Sequence, residues 1–168
     1  MAPVECPQSG LGLAAKRCFD LLFALPGFLL ISPALLLIGL AIRCSYGSPV
    51  FFRHPRVGKG GRVFTLLKFR TMSDERGPDG ALLGDHARIT RLGRVIRQLS
   101  LDEFPQLLNV LKGDLSLVGP RPLLVRYWPR YTLLERARHR VLPGMTGWAQ
   151  VNGRNAITWS RRFELDLW

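Results

Sequence analysis

The chain has 168 residues, enough for one domain, and a formal charge of +12 carried by 20 Arg and only 4 Lys. Arg dominance points to phosphorylated ligands, anionic lipid headgroups or nucleic acid, because the guanidinium fork grips phosphate through two bonds. Three cysteines (Cys6, Cys18, Cys44) without C-x-x-C spacing argue against a disulfide framework and against a zinc site, and suit a reducing compartment.

Residues 1–10 read as an irregular start, and a helix is predicted from near Leu11 into an uncharged run at 21–42. As a helix those residues reach roughly 33 Å, long enough to cross a bilayer. Lys16 and Arg17 precede the run, and Arg43, Arg53, Arg56, Lys59 and Arg62 follow it. Basic flanks on both sides ask for both ends on the same side of a membrane. Pro33 lacks an N–H and crowds the Leu29 carbonyl, so a bend is expected there, with Ser32 able to bond a freed carbonyl. Two readings stay open on this segment alone: a re-entrant, hairpin-like helix broken at Ser32-Pro33, or a single tilted span. An ordinary signal peptide is excluded by the length of the run and the lack of a small-residue cleavage site.

Beyond the run, Tyr46-Gly47-Ser48-Pro49 reads as a turn. Strands are predicted at 50–53 and 63–70, separated by the turn-rich Gly58-Lys59-Gly60-Gly61. A loop, open to motion, is expected over 73–86. Helices follow at 89–98 and 100–112, the second ended by Gly113. Gly119-Pro120-Arg121-Pro122 is stiff and irregular. Residues 123–141 are expected to be helical with an interruption at Pro129, 142–155 mix turn and strand formers, and 157–168 read as an amphipathic helix. There is no internal repeat, no low-complexity segment and no βαβ rhythm with a glycine fingerprint. The fold class is α+β, mostly helical, with a small strand element and interfacial helices. The expected division is an N-terminal membrane segment at 1–48 and a catalytic domain at 49–168, acting as one functional unit.

Four clusters carry chemistry. Asp102-Glu103, in Ser100-Leu101-Asp102-Glu103-Phe104-Pro105, is the only adjacent acid pair outside loops and follows Arg94 and Arg97. Ser100 with Glu103 also fits a helix capping box, a purely structural role. The alternative is an ionised carboxylate kept so by nearby Arg, able to attack as a nucleophile or to bind Mg²⁺. Lys68 and Arg70 share one face of a strand, suiting either a phosphate or solvent. Arg121 is presented between two prolines, as an anion clamp needs, or stands as an exposed loop cation. Residues 144–154, with Trp148, Gln150, Asn152 and Arg154, can cover a ligand or a core. The scattered His54, His86 and His139 have no metal spacing. Nucleic acid is disfavoured, since there is no RNP motif, zinc finger or recognition helix. A non-catalytic binder of anionic lipid or nucleotide is the competing class.

These motifs together resemble the bacterial sugar transferase family, the small monotopic phosphoglycosyl transferases, over residues 14–168. The resemblance rests on Lys16-Arg17 with Phe19-Asp20, Ser32-Pro33, Phe51-Phe52-Arg53 with Val57-Gly58, and Lys68-Phe69-Arg70-Thr71-Met72. It continues through Leu92-Gly93, Arg97, Ser100 to Glu103, Pro105-Gln106-Leu107, the 109–116 stretch, Val118 to Pro122, and 143–154. It implies that Asp102 and Glu103 are the catalytic dyad and hold Mg²⁺. Asp102 would attack the β-phosphate of a UDP-sugar, UMP would leave, and polyprenyl (undecaprenyl) phosphate would take the sugar phosphate from the aspartyl intermediate. It assigns phosphate-side roles to Lys68, Arg70, Arg97, Arg121 and Arg154, and metal positioning or proton assistance to Glu103. It turns the Ser32-Pro33 run toward the re-entrant form, on the cytoplasmic face of a bacterial inner membrane. Partners would be the UDP-sugar, the polyprenyl phosphate and lipid of the cytoplasmic leaflet, with a homodimer left open. Family members usually continue past 163–168 with another helical stretch, and the large ones carry an N-terminal membrane domain that this chain lacks. The chain is therefore expected to be the catalytic unit alone, with sugar choice in the 73–86 and 144–154 loops.

Overall fold

A computed structural model describes residues 10–153 and 156–167. Its first element, α1 (Gly10–Tyr46), is 37 residues long, about 56 Å of helix. Its most apolar 18-residue stretch has a mean hydropathy of 2.5, so by length and composition it can cross a membrane. Leu22, Phe23, Leu30, Leu36 and Leu37 are exposed along it. That much apolar helix surface calls for lipid and makes α1 the membrane-associating element. The helix runs on through Ser32-Pro33, and the expected local repair is present. The Ser32 hydroxyl donates to the Leu29 carbonyl at 2.9 Å, the acceptor left open by the missing N–H of Pro33.

The chain divides into two compact units, each drawing on separate stretches of sequence. Unit 1 comprises residues 1–28, 55–66 and 106–168; unit 2 comprises 29–54 and 67–105.

In unit 1, Asp20 of α1 is fully buried. Its Oδ1 accepts from Lys16 Nζ at 2.6 Å and from the Leu117 N–H at 3.1 Å, with the Ser116 hydroxyl also at 3.1 Å. Arg17 donates to the Val110 and Leu111 carbonyls at 2.6 and 2.7 Å. These lie in the last turn of α4 (Gln106–Lys112), where carbonyls lack helical partners and a cation suits the helix dipole. Gly113 follows at φ 94°, a left-handed stop that glycine adopts without strain. Strand β3 (Ser116–Val118) pairs in parallel with β4 (Gly144–Thr146), Ser116 opposite Gly144 and Val118 opposite Thr146. Just beyond the pair, Gly119 lies so near the 142–147 backbone that a Cβ on Gly144 or Gly147 would collide with Gly119.

The rest of unit 1 is short helices. Residues 123–141 form a 3₁₀ segment containing Pro129 (Val125–Arg130), α5 (Leu133–Arg136) with a Thr132–Glu135 capping box, and a second 3₁₀ segment (Ala137–Arg140). The single interrupted helix expected here is thus three pieces, because Pro129 and the Thr132 cap each restart the chain. Helices α6 (Trp148–Val151) and α7 (Trp159–Leu167) complete the unit. Arg138 and Asp166 form a buried ion pair, each side chain 1 % exposed, with Arg138 Nε at 3.0 Å and Nη2 at 2.6 Å from one carboxylate oxygen.

In unit 2, Ile42 of α1, Phe69 and Ile96 form a buried cluster, with Leu35, Ile38, Val50, Leu92 and Leu101 against it. Phe69 ends β2 (Val63–Phe69), which pairs with β1 (Phe51–Val57). Strand β1 extends four residues past its expected end, through Pro55, which a two-stranded sheet tolerates because both strands are edges. Helix α3 (Arg91–Gln98) starts two residues later than expected, where Thr90 Oγ1 accepts from the Gly93 N–H at 2.9 Å. The 73–86 stretch is largely the expected loop, and hydrogen bonds tie it at several points. Its ties include Leu83 N to Glu75 O at 3.0 Å, Gly77 N to Ala81 O at 2.8 Å, and Arg88 Nε to Ser73 O at 2.8 Å. A one-turn helix, α2 (Asp85–Arg88), closes it.

His139, 5 % exposed in unit 1, sits among Trp128 and Tyr131, with Nδ1 3.2 Å from the Gly58 carbonyl. Burial, helped by the neighbouring Arg138 cation and opposed by the Gly58 bond, lowers its pKa from 6.5 to about 4. Between those values the unfolded chain takes up a proton that the folded chain refuses. The stability from neutral His139 is therefore complete above pH 6.5 and is lost as pH falls toward 4, on the order of 3 kcal/mol in all. Melting temperature measured from pH 7 to 4 should fall across this window, and His139→Phe should flatten that part of the profile.

Candidate active site

The acid pair sits just beyond α3 in unit 2. Leu99 caps that helix, and Ser100 turns into the left-handed region at φ 55°. It is the only non-glycine residue with positive φ among the described residues. Such a conformation costs a few kcal/mol at most and persists only where surrounding contacts hold it, often at functional sites. The turn feeds a 3₁₀ segment, Leu101–Glu103, that carries both acids. The capping box that the sequence allowed is not formed: Ser100 makes no side-chain cap bond. Glu103 instead accepts from Lys68 Nζ at 2.7 Å, and Asp102 Oδ2 lies 3.5 Å from the same ammonium.

Lys68 therefore meets both carboxylates. Its neighbour Phe69 is anchored in the apolar cluster, and strand alternation sends Lys68 to the other face. The side chains of Asp102, Lys68 and Glu103 are 14, 20 and 23 % exposed. At that depth they are partly desolvated yet reachable from water, so the ion pairs count for more than surface ones.

Arg97 and Arg70 are held by their own partners. Arg97 Nε donates to Thr71 Oγ1 at 2.8 Å. Helix α3 approaches Thr71 so closely at Gly93 that any Cβ there would strike the Thr71 carbonyl. Arg70 is buried and donates to the carbonyls of Met72, Tyr46 and Ser48 and to the Asp74 carboxylate. Its guanidinium fastens the chain around β2, so Lys68 and Arg70, expected to aim together, go to different partners.

Arg121 belongs to unit 1. The β3–β4 pairing lays its Gly119-Pro120-Arg121-Pro122 segment beside 144–150, with Gly119 N donating to Thr146 O at 2.8 Å and Gly144 N to Pro120 O at 3.0 Å. Two motifs that lie apart in sequence thus form one wall. Arg138 Nη2 donates to the Arg121 carbonyl at 2.7 Å, tying this wall to α7 through Asp166. Burial raises the Asp166 carboxyl above its usual range, with the Arg138 cation working against that. Beside the wall is a cavity of about 170 Å³ lined by Arg56, Arg121, Ala149, Gln150, Arg162 and Asp166, among others. Arg154 lies outside the described residues. The sequence reading missed Arg56, Arg138 and Arg162, since nothing in a basic run marks which arginine turns inward.

The donor set at the acid pair is two carboxylates, and no group of three or more His, Cys, Asp or Glu that could hold a metal occurs among the described residues. Two carboxylates fit Mg²⁺, which keeps several waters and takes its remaining oxygens from substrate phosphate.

The chain matches the bacterial sugar transferase family over residues 11–168, and it belongs to that family. It is 58 % identical over 153 residues to an uncharacterized sugar transferase, EpsL, of Bacillus subtilis (strain 168), a match spanning 91 % of this chain and 76 % of the relative. It is 45 % identical over 156 residues to the undecaprenyl-phosphate glucose phosphotransferase of Komagataeibacter xylinus, covering 88 % of this chain and 29 % of that protein. Identity is 40 % over 174 residues to the UDP-glucose:undecaprenyl-phosphate glucose-1-phosphate transferase of Escherichia coli (strain K12), covering 97 % and 37 %. The chain thus spans three quarters of the first relative and little more than a third, or less, of the other two.

Lys68→Met keeps the length of the side chain and removes its charge. It should lower turnover by about 10²–10³-fold, the scale for losing one preorganised charge-stabilising donor. Steady-state kinetics on detergent-purified protein, alongside a thermal melt, separates this from unfolding.

Proposed function

We propose that the chain transfers a sugar 1-phosphate from a UDP-sugar to polyprenyl (undecaprenyl) phosphate, releasing UMP. The observation that carries this reading is the Asp102–Glu103 pair, set by a left-handed turn and gripped by Lys68. The names of the Komagataeibacter and Escherichia relatives, with undecaprenyl phosphate in both and UDP-glucose in the second, support the substrates.

Glu103 is the closer partner of Lys68, 2.7 Å against 3.5 Å, which leaves Asp102 the less committed carboxylate and the better nucleophile. An Asp102 oxygen attacks the phosphorus bearing the sugar. A new O–P bond forms, the bond from that phosphorus to the bridging oxygen breaks, and UMP departs with the electron pair. An oxygen of polyprenyl phosphate then attacks the same phosphorus, giving polyprenyl diphosphosugar and freeing the Asp102 carboxylate. Lys68 holds Glu103 and steadies negative charge beside the reacting phosphate. Asp102 and Glu103 would also hold Mg²⁺, which when bound supplies charge neutralisation for the diphosphate.

The same proposal makes α1 a re-entrant element that enters and leaves by the cytoplasmic leaflet. It is supported by basic residues at both ends and by the Ser32–Leu29 bond at Pro33. It puts a soluble donor and a lipid-bound acceptor within reach of one site.

Incubating the protein with donor alone should add a phosphosugar to the intact mass, and Asp102→Asn should abolish the adduct and cut turnover by more than about 10⁴-fold while leaving the melt unchanged. Substantial activity in that variant would exclude Asp102 as nucleophile. No UMP release from any of a panel of UDP-sugars with undecaprenyl phosphate would favour a non-catalytic binder.

Cys18 and Cys44 are exposed, free thiols close to the two ends of the apolar run. An impermeant maleimide applied to inside-out vesicles should label both, and applied to right-side-out cells should label neither. Periplasmic labelling of one of them would mean a spanning helix.

A further inference from the structure

A second groove of unit 1 opens between the β1–β2 turn and the end of α4. It holds about 500 Å³ and is lined by Lys59, Arg62, Phe64, Gly113, Asp114 and Leu142, among others. The transfer proposed above uses none of these residues. The charge of the groove is one-sided. Lys59 and Arg62 are exposed, and neither side chain has an ion-pair or hydrogen-bond partner among the described residues. The acid on the groove is already taken, since Lys112 Nζ lies 3.0 Å from Asp114 Oδ2. Two uncompensated cations thus meet whatever fills the groove. Water alone satisfies such cations on an open surface, so their place in the molecule decides the ligand.

That place is fixed by α1. A Cβ on Gly113 would lie 3.7 Å from Arg17 Nη2, so the groove borders the basic turn of α1. Arg17 stands four residues before Leu21, about 6 Å of helix rise ahead of the uncharged run. Leu21, Leu22 and Phe23 follow at once, all exposed. Where an apolar helix leaves lipid the headgroup phosphates begin, and Lys and Arg gather at that level. The groove therefore lies at the phosphate layer, whether α1 re-enters its leaflet or crosses it. Its walls match a headgroup in kind: cations for a phosphate diester, and half-buried Phe64 and Leu142 for the glycerol beside it. Its volume is within the range of pockets that enclose one small ligand.

We propose that this groove docks one anionic membrane phospholipid, with the headgroup phosphate held by Lys59 and Arg62 and the acyl chains left in the leaflet beside α1. The lipid adds a charge-dependent hold on the bilayer to the apolar one that α1 supplies. The proposal rests on α1 as the membrane element and draws nothing from the transferase reading.

The test incubates the full chain in detergent with equimolar phosphatidylglycerol and phosphatidylcholine, which share a phosphate diester and differ in net charge. Native mass spectrometry then counts the lipid retained. One phosphatidylglycerol should stay bound, favoured at least about tenfold, the scale of two basic residues meeting an anionic headgroup. Lys59→Gln combined with Arg62→Gln should cut that preference to about threefold or less. Arg126→Gln combined with Arg130→Gln removes two exposed cations elsewhere in unit 1 and should leave it intact. Equal retention of the two lipids would overturn the proposal. So would an equal loss of preference in both double variants, which means charge without a site. Displacement by equimolar undecaprenyl phosphate would also overturn it and give the groove to that lipid, and displacement by inorganic phosphate would make it a site for the free ion. A phosphatidylglycerol with a diazirine near its glycerol needs no variant. Its cross-links should map to residues 58–64 or 142, and cross-links confined to α1 would exclude the groove.

Discussion

Two adjacent carboxylates repel each other, and the chemistry of unit 2 depends on how one ammonium settles that repulsion. Lys68 can do so only because Phe69 is locked into the apolar cluster with Ile42 and Ile96, which fixes the face on which its neighbour emerges. The acids arrive from the other direction through a residue in a conformation that L side chains rarely adopt, Ser100. Strain at one residue and burial at another are thus the two ends of the same contact. The unequal distances from Lys68 to the two acids give chemically similar neighbours different electrostatic surroundings.

Unit 1 rests on a different constraint, the near approach of backbone to backbone. Gly119, Gly144 and Gly147 have no Cβ, so the stiff proline-flanked segment lies directly along the start of α6. Any side chain at these positions would push the two strands apart and with them the cavity wall that carries Arg121 and Gln150. Glycine here serves proximity more than flexibility.

The sequence made some of this legible and hid the rest for physical reasons. The α1 helix, the β1–β2 hairpin, the stop at Gly113 and the last helix follow from periodicity and punctuation. The acid pair stood out by its isolation among arginines. What local reading cannot separate is a capping box from a turn that hands Glu103 to another partner, since both use Ser100 and Glu103 and only the distant Lys68 decides between them. Arg70 shows the converse error. Strand alternation correctly separates it from Phe69, yet carbonyls at positions 46, 48 and 72 claim its guanidinium. Arg138 is the plainest case, a fully buried cation within a run of basic residues that reads as solvated surface.

That buried arginine also bears on how such proteins can be re-engineered. Arg138 holds the Arg121 carbonyl with one nitrogen and, through Nε and that same nitrogen, the Asp166 carboxylate of α7. The loop that presents Arg121 is therefore not a detachable module. A graft that swapped residues 119–122 from a relative, leaving the last helix behind, would bring in a loop whose anchor belongs to another protein. An exchange of this loop between relatives should travel with α7, and a library that randomises the loop alone is searching around a fixed pin.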